Sequence, residues 1–133
     1  MKIALFAHRA YVETHGLPKT TADFSRHRLI GFDRDTRVLR TTGGSAAALK
    51  SEEFGIRTDS VAAQMALLRA GAGITACQIN VARRDRDLVA VPVSEFMFRR
   101  EIWIVLHPDM KRVRRIRLLF DHLVSALTRY ANE

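Results

Sequence analysis

The clearest apolar pattern lies towards the C-terminus. Val113, Ile116, Phe120, Leu123, Leu127 and Tyr130 recur at spacings of three and four, which sets them along one stripe of a helix. Pro108 and Asp109 open it, since proline suits a first helical position and an acid suits the positive end of the dipole. A shorter stripe of Val61, Met65 and Leu68 predicts a helix from about residue 60 to about 70. Elsewhere the apolar runs are brief. IALFA (3–7), RLIGF (28–32), ITACQI (74–79), LVAVPV (88–93) and EIWIVLH (101–107) read as strands, and EFGIRTD (53–59) alternates Phe54, Ile56 and Thr58 on one face. Pro92 near the end of its run suits an edge position.

The intervening segments carry turn and cap chemistry. HRAYVETHG predicts one or two helical turns closed by Gly16, and Pro18 then favours extended backbone. Thr20 or Thr21 is placed to cap a short helix through Phe24 and Arg26, with Asp23 in its first turn. Residues 33–50 combine a turn at DRD, a helical turn over 36–40 and a flexible TTGGS, and VARRD ends in a charged turn. Strands thus alternate with helices along most of the chain. That order predicts an α/β sandwich with a largely parallel or mixed sheet. Neither an internal repeat nor a clean linker interrupts it.

Composition narrows the reading. A chain of 133 residues with 47% hydrophobic and 27% charged residues has enough material for one globular core. No apolar run reaches the length of a membrane span. The N-terminal run is too short for a signal peptide and meets His8 and Arg9 at once, so a cytoplasmic protein is expected. The single cysteine, Cys77, excludes an internal disulfide and lies in an apolar run, where a buried inert thiol is expected. The net charge of +8 favours a polyanion or small anion as partner. The arginines are scattered from Arg9 to Arg129, however, so solubility accounts for the charge equally well.

The stretch TDSVAAQMALLRAGAGITA (58–76) carries the most functional information. Thr58, Asp59 and Ser60 stand where a strand gives way to a helix. One such side chain satisfies an otherwise unpartnered amide of the first helical turn, worth about 0.5–2 kcal/mol. In open α/β sheets ligands also bind beyond the carboxyl ends of strands, where free amides and the helix dipole favour an anion. Gly71 is suited to a left-handed residue ending the helix, and Gly73 to a close return into the sheet.

The combination FGIRTDSVAAQMALLRAGAGITACQ resembles the strand–helix–Gly-x-Gly–strand core of the effector-binding domain of LysR-type transcriptional regulators. Other pieces follow in that family's order. ALFAHRAYVETHGLPKTTADFSRHRLIGF is similar to its strand, its AYxxxHGxP turn, its T-x-AD helix and its H-x-L strand. EIWIVLHPDMKRVRRIRLLFDHLVSAL is similar to its last strand and C-terminal helix. The resemblance implies a fold like a type 2 periplasmic binding protein, with two α/β subdomains, crossing strands and an effector cleft between them. Residues 2 to about 85 would be subdomain II, and residues from about 98 to 133 the return into an incomplete subdomain I. DNA would be contacted only through an N-terminal winged helix-turn-helix, which this sequence does not include.

Carried over residue by residue, the resemblance places effector contacts at two strand ends. One supplies Gly31 and Phe32, the other Thr58, Asp59 and Ser60. Gly31 stands where some members carry a hydroxyl, so one hydrogen bond to the effector is absent. Phe32 either stacks on a flat ligand or belongs to the core. Asp59 would repel a carboxylate effector unless its side chain is turned into capping. The expected function is effector sensing by binding and conformational shift, without chemistry, and the expected partner is a small molecule, with an anion among the candidates. The implied absence of most of subdomain I would leave Trp103, Ile104, Val105, Phe120, Leu123 and Leu127 uncovered, which predicts a homo-oligomer.

Two other functions compete. KRVRRIR (111–117) suggests nucleic-acid binding by the last helix. Val113 and Ile116 fall on the apolar stripe, though, and a solvated face accounts for the remaining bases. A small α/β enzyme is the other alternative. His8, His15, His27, His107 and His122 lack metal-ligand spacing, and one cysteine cannot build a thiolate site with them. Asp33 with Asp35, and Asp85 with Asp87, lie in arginine-rich turns where surface ion pairing is the simpler account. The GGS at 43–45 lacks the lysine of a phosphate loop. No cofactor is expected.

Overall fold

In a computed structural model, residues 1–34 and 51–132 are described. The helical turn expected at 36–40 and the TTGGS segment lie outside them. The chain forms two compact units, Lys2–Arg99 and a second made of Met1 with the residues from Arg100 onward.

The first unit is built on β1 (Lys2–His8), followed by α1 (Arg9–His15), β2 (Ile30–Gly31), β3 (Ile56–Arg57), α2 (Val61–Arg69), β4 (Ile74–Gln78), α3 (Ile79–Ala82), β5 (Leu88–Ala90) and β6 (Phe98–Arg99). β1 pairs antiparallel with β4 along one edge, and with both β5 and β6 along the other. β2 and β3 are parallel to each other, and a parallel bridge from Leu29 to Ile74 carries them onto β4. The sheet is therefore mixed, and its parallel strands β2, β3 and β4 end on one side.

β1 explains why the sheet is covered on both faces. Its run has no polar residue from Ile3 to Ala7, and alternate side chains enter different clusters. Leu5 and Ala7 join Tyr11, Phe24, Leu29, Ile74 and Phe96. Ala4 and Phe6 join Leu68, Cys77 and Ala82 beneath α2 and α3. The Phe24 and Phe96 rings meet edge to face, with centroids 5.2 Å apart. Such a pair adds about 0.5–1.5 kcal/mol to the burial itself. Cys77 is buried as expected, and that burial pushes its thiol pKa up.

Several sequence boundaries shift. The expected strands at 28–32, 53–59 and 88–93 contract to two or three residues, and residues 51–53 form a short 3-10 turn. VARRD ends in a charged turn as expected, directly after Val81 and Ala82 close a short helix. The α2 stripe is also rotated: Val61 is 66% exposed, whereas Gln64 and Leu68 are buried. Gln64 faces inward because its Nε2 donates to the Thr58 carbonyl at 2.8 Å, which satisfies a polar group that would otherwise be costly to bury.

The glycines behave as the sequence implies. Gly16 and Gly71 adopt positive φ, at 73° and 69°. A Cβ on Gly73 would run into the carbonyl oxygen of Arg28. That oxygen accepts the Ile74 amide at 2.9 Å, so the missing side chain is what lets β4 close on the start of β2.

The 3-10 helix Thr21–Arg26 leads into β2. Asp23 Oδ2 accepts from Lys19 N and Thr20 N at 3.0 and 2.9 Å, and these amides, that of Thr20 foremost, lower the Asp23 pKa. Just beyond, the Arg28 amide donates to the Tyr11 hydroxyl at 2.9 Å, and His27 Nδ1 lies 3.3 Å from the same oxygen. With its oxygen accepting from Arg28, Tyr11 has its own proton free for a neutral His27. Burial and then the neighbouring His15 lower the His27 pKa, against a smaller opposing pull from Asp23. The folded value thus lies below the usual 6.5 or so of an unfolded chain. His27's contribution is fully present above that value and is lost as pH falls through the folded one. Urea midpoints are expected to fall on acidification from neutral pH to about pH 5, and less steeply in His27→Gln. An equal slope in both proteins would contradict this.

In the second unit, residues 101–107 pair with no strand among the described residues, so the expected strand is not formed there. Pro108–Arg112 forms a 3-10 helix, and α4 runs from Arg114 to Asn132. No residue of α4 is buried. Of the residues expected to be uncovered, Trp103 is 80% and Val105 88% exposed, and Leu123 is also open. Ile104, Phe120 and Leu127 are half-covered.

Candidate functional site

The five candidate residues converge at the carboxyl ends of β2 and β3. The strands pair through Ile30 with Ile56 and Gly31 with Arg57. The Thr58 amide then donates to the Gly31 carbonyl at 3.0 Å, so the two ends stop side by side. Gly31 is buried, and a Cβ there would collide with the Phe54 ring. This explains the glycine: Phe54 occupies the space that a hydroxyl side chain would take. Phe32, immediately after, is half-buried and belongs to neither core cluster.

The TDS turn is internally organised. Ser60 is the N-cap of α2, and its Oγ accepts the Ala63 amide at 3.2 Å. Thr58 Oγ1 in turn accepts the Ser60 amide at 3.2 Å. Asp59 does not cap the helix. Its Oδ1 accepts the amides of Asp33 and Arg34 at 3.0 and 3.1 Å, and Oδ2 lies 3.3 Å from the Arg34 amide. Its carboxylate thereby ties the turn after β3 to the turn after β2. Arg57 Nε adds an ion pair with Asp33 at 3.7 Å. Both partners are roughly half exposed, so that pair contributes at most about 1 kcal/mol.

Sequence reasoning assigned no role to the end of β4. Because β4 runs parallel to β2, Gln78 is carried to the same side of the sheet. The available signal was a polar Gln-Ile-Asn run straight after an apolar strand. Among the described residues, no group of three or more His, Cys, Asp or Glu side chains is placed to hold a metal, and no helix is long and apolar enough to cross a membrane. What the arrangement offers is a polar rim at two joined strand ends, with Phe32 half-buried beside it.

The family model for the LysR substrate binding domain matches residues 2–128, and the chain belongs to that family. The fold is accordingly of the type 2 periplasmic-binding-protein kind. Among solved structures, it is similar to the regulatory domain of CrgA, a LysR-type transcriptional regulator from Neisseria meningitidis. The TM-score is 0.70 at 17% identity, over 96% of this chain and 66% of that one. The regulatory domain of AphB in Vibrio vulnificus gives 0.63 at 18% identity, over 94% of this chain and 64% of that one. The full-length Vibrio cholerae virulence activator AphB, a member of the LTTR protein family, gives 0.59 at 19% identity, over 93% and 44%. The chain therefore spans just under two thirds of the CrgA and AphB regulatory domains. No curated protein matches it.

Proposed function

We propose that this chain is an effector-sensing part of a LysR-type transcriptional regulator, acting by binding and conformational shift and not by turnover. Residues 2 to about 85 form its effector lobe, equivalent to subdomain II, and residues from about 98 to 133 the return into subdomain I. The observation that carries this reading is the joining of the two strand ends: Gly31, Phe32, Thr58, Asp59 and Ser60 share one rim, held by the Thr58–Gly31 hydrogen bond and the Asp59 carboxylate. In α/β folds that rim is where ligands bind. A ligand preferring one arrangement of the domain shifts the equilibrium by its difference in affinity, and contact with DNA belongs to an N-terminal domain of the regulator. The setting is cytoplasmic, where such a regulator meets both metabolite and DNA. Nucleic-acid binding through the last helix is less favoured, because the family match extends through most of that helix.

A thermal-shift screen of small metabolites tests the proposal. A compound at a hundred times its dissociation constant adds about 2.7 kcal/mol of apparent stability. The response is expected to weaken in Thr58→Val, which removes a hydroxyl at the rim. A response unchanged in that variant would place binding elsewhere.

The exposed Trp103, Val105 and Leu123 support self-association in the regulator's usual oligomeric manner. Light scattering at micromolar concentration is expected to give a mass of at least two chains, and a monomer would refute it.

A further inference from the structure

We infer that the segment EIWIVLH, residues 101–107, is a self-association edge: two copies of this chain pair through it, antiparallel and centred on Ile104. The inference goes beyond effector sensing. It rests on the self-association expected above and gives it a location.

The segment has the composition of a strand and lacks a partner. Before it, the Arg100 amide donates to the Met1 carbonyl at 2.9 Å, and the Met1 amino group donates to the Arg100 carbonyl at 2.8 Å. After it, the His107 carbonyl accepts the Met110 amide at 3.0 Å. Between these points no backbone amide or carbonyl makes a backbone hydrogen bond among the described residues. Exposure alternates as on a two-faced strand: Trp103 is 80% and Val105 88% exposed, whereas Ile102 is 38% exposed and Ile104 and Leu106 are half-covered. A bare apolar edge of this kind is a template for pairing with another chain.

The order of the residues points to a second copy. Antiparallel pairing about Ile104 sets Ile102 against Leu106, Trp103 against Val105, and Glu101 against His107. Aromatic with β-branched, and acid with imidazole, are favourable cross-strand pairs, whereas parallel pairing in register would oppose Glu101 to itself. His107 Nδ1 is turned to Asp109, 3.4 Å from both its amide and its Oδ2, so Nε2 is the nitrogen that meets Glu101. The same register brings the Trp103 of one copy to Val105 of the other, at a concavity of about 480 Å³. Ile104, Val105, Leu106 and Phe120 line it, with Lys111 and Arg117. An indole there gains apolar contact and a cation near its ring. Glu101 travels with it, because its Oε2 accepts from Trp103 Nε1 at 3.1 Å, and so brings a negative charge towards Lys111. Arg117 is already paired with Asp121 at 3.2 Å. The twofold axis repeats each of these contacts.

The test is oxidative cross-linking of the full chain in a Cys77→Ala background, read beside sedimentation equilibrium of the wild type and Val105→Lys. Ile104→Cys sets two thiols across the axis with Cα atoms about 4.5–5.5 Å apart, inside the range a disulfide spans. It is expected to give a covalent dimer. Glu101→Cys sets them about 20 Å apart and should stay monomeric under the same oxidation. Val105→Lys changes an exposed side chain, so its melting temperature should match the wild type, while its dimer dissociation constant rises by about tenfold or more. The inference is overturned if both cysteine variants cross-link equally, or if Val105→Lys dimerises as tightly as the wild type. A wild-type monomer whose 101–107 amides exchange slowly would assign the segment to another part of the same chain. That result overturns the inference and the expected self-association together. Failure of the sensing reading looks different: no metabolite stabilises the wild type, while the Ile104→Cys cross-link stands.

Discussion

Leu68→Ala is expected to lower the unfolding free energy by about 2–5 kcal/mol, the range for removing most of a fully buried leucine. Leu68 has 0% exposure and is the α2 side chain seated deepest against Ala4, Phe6 and Cys77. Ala4, Phe6 and Cys77 are held in the sheet, so they cannot move far into the vacated volume. A single domain is stable by only about 5–15 kcal/mol, so the loss is a large fraction of the whole. Urea denaturation followed by tryptophan-independent far-ultraviolet dichroism measures it, because Trp103 lies in the other unit. A loss below about 1 kcal/mol would mean that α2 does not seal that face of the sheet.

Gly73→Ala is the second large effect and acts through the backbone. The added Cβ would collide with the Arg28 carbonyl oxygen, which no rotamer change can move. Relief requires β4 to part from the start of β2. That strains the Ile74 amide bond to Arg28 and the Thr75 hydroxyl bond to the Ile30 carbonyl, both 2.9 Å long. Overpacking of this kind costs about 1–3 kcal/mol and sometimes more. Since β2 ends in Gly31 and Phe32, the variant should also blunt any ligand response at the rim. Gly55→Ala is the control. Its Cβ would meet Arg28 Cγ at 3.1 Å, and that flexible, exposed side chain can swing aside, so a change within about 0.5 kcal/mol is expected. Equal losses in the two variants would refute the backbone argument.

The contrast between those glycines shows what the sequence could reveal. Gly71 and Gly73 flank a clear change of period from helix to strand, and each position carried a local physical reason for glycine. Gly31 did not, because its reason is Phe54, 23 residues further on and brought over it only by the pairing of β2 with β3. Local patterning likewise gave α2 but not its rotation. Three apolar residues fit a stripe through Val61, whereas one side-chain bond from Gln64 to Thr58 turns a different face inward. The run at 101–107 has strong strand propensity, yet a strand also needs a partner, and propensity is silent about partners. At the rim, the sequence put its five candidate residues at two strand ends, and the structure sets those ends side by side. It could not tell whether Asp59 caps its own helix or reaches across, because that depends on where the turn after β2 lies.

The account's central claim is that a small molecule is sensed at the joined ends of β2 and β3. Amide chemical-shift mapping tests it most directly, using the isotope-labelled chain and the metabolite that raises the melting temperature most. The account predicts shifts concentrated in Gly31–Arg34 and Arg57–Ala62, with the Asp33 and Arg34 amides still bonded to Asp59. Shifts confined to the opposite end of α2, around Arg69 and the Arg83–Leu88 turn, or to the C-terminal unit, would contradict it.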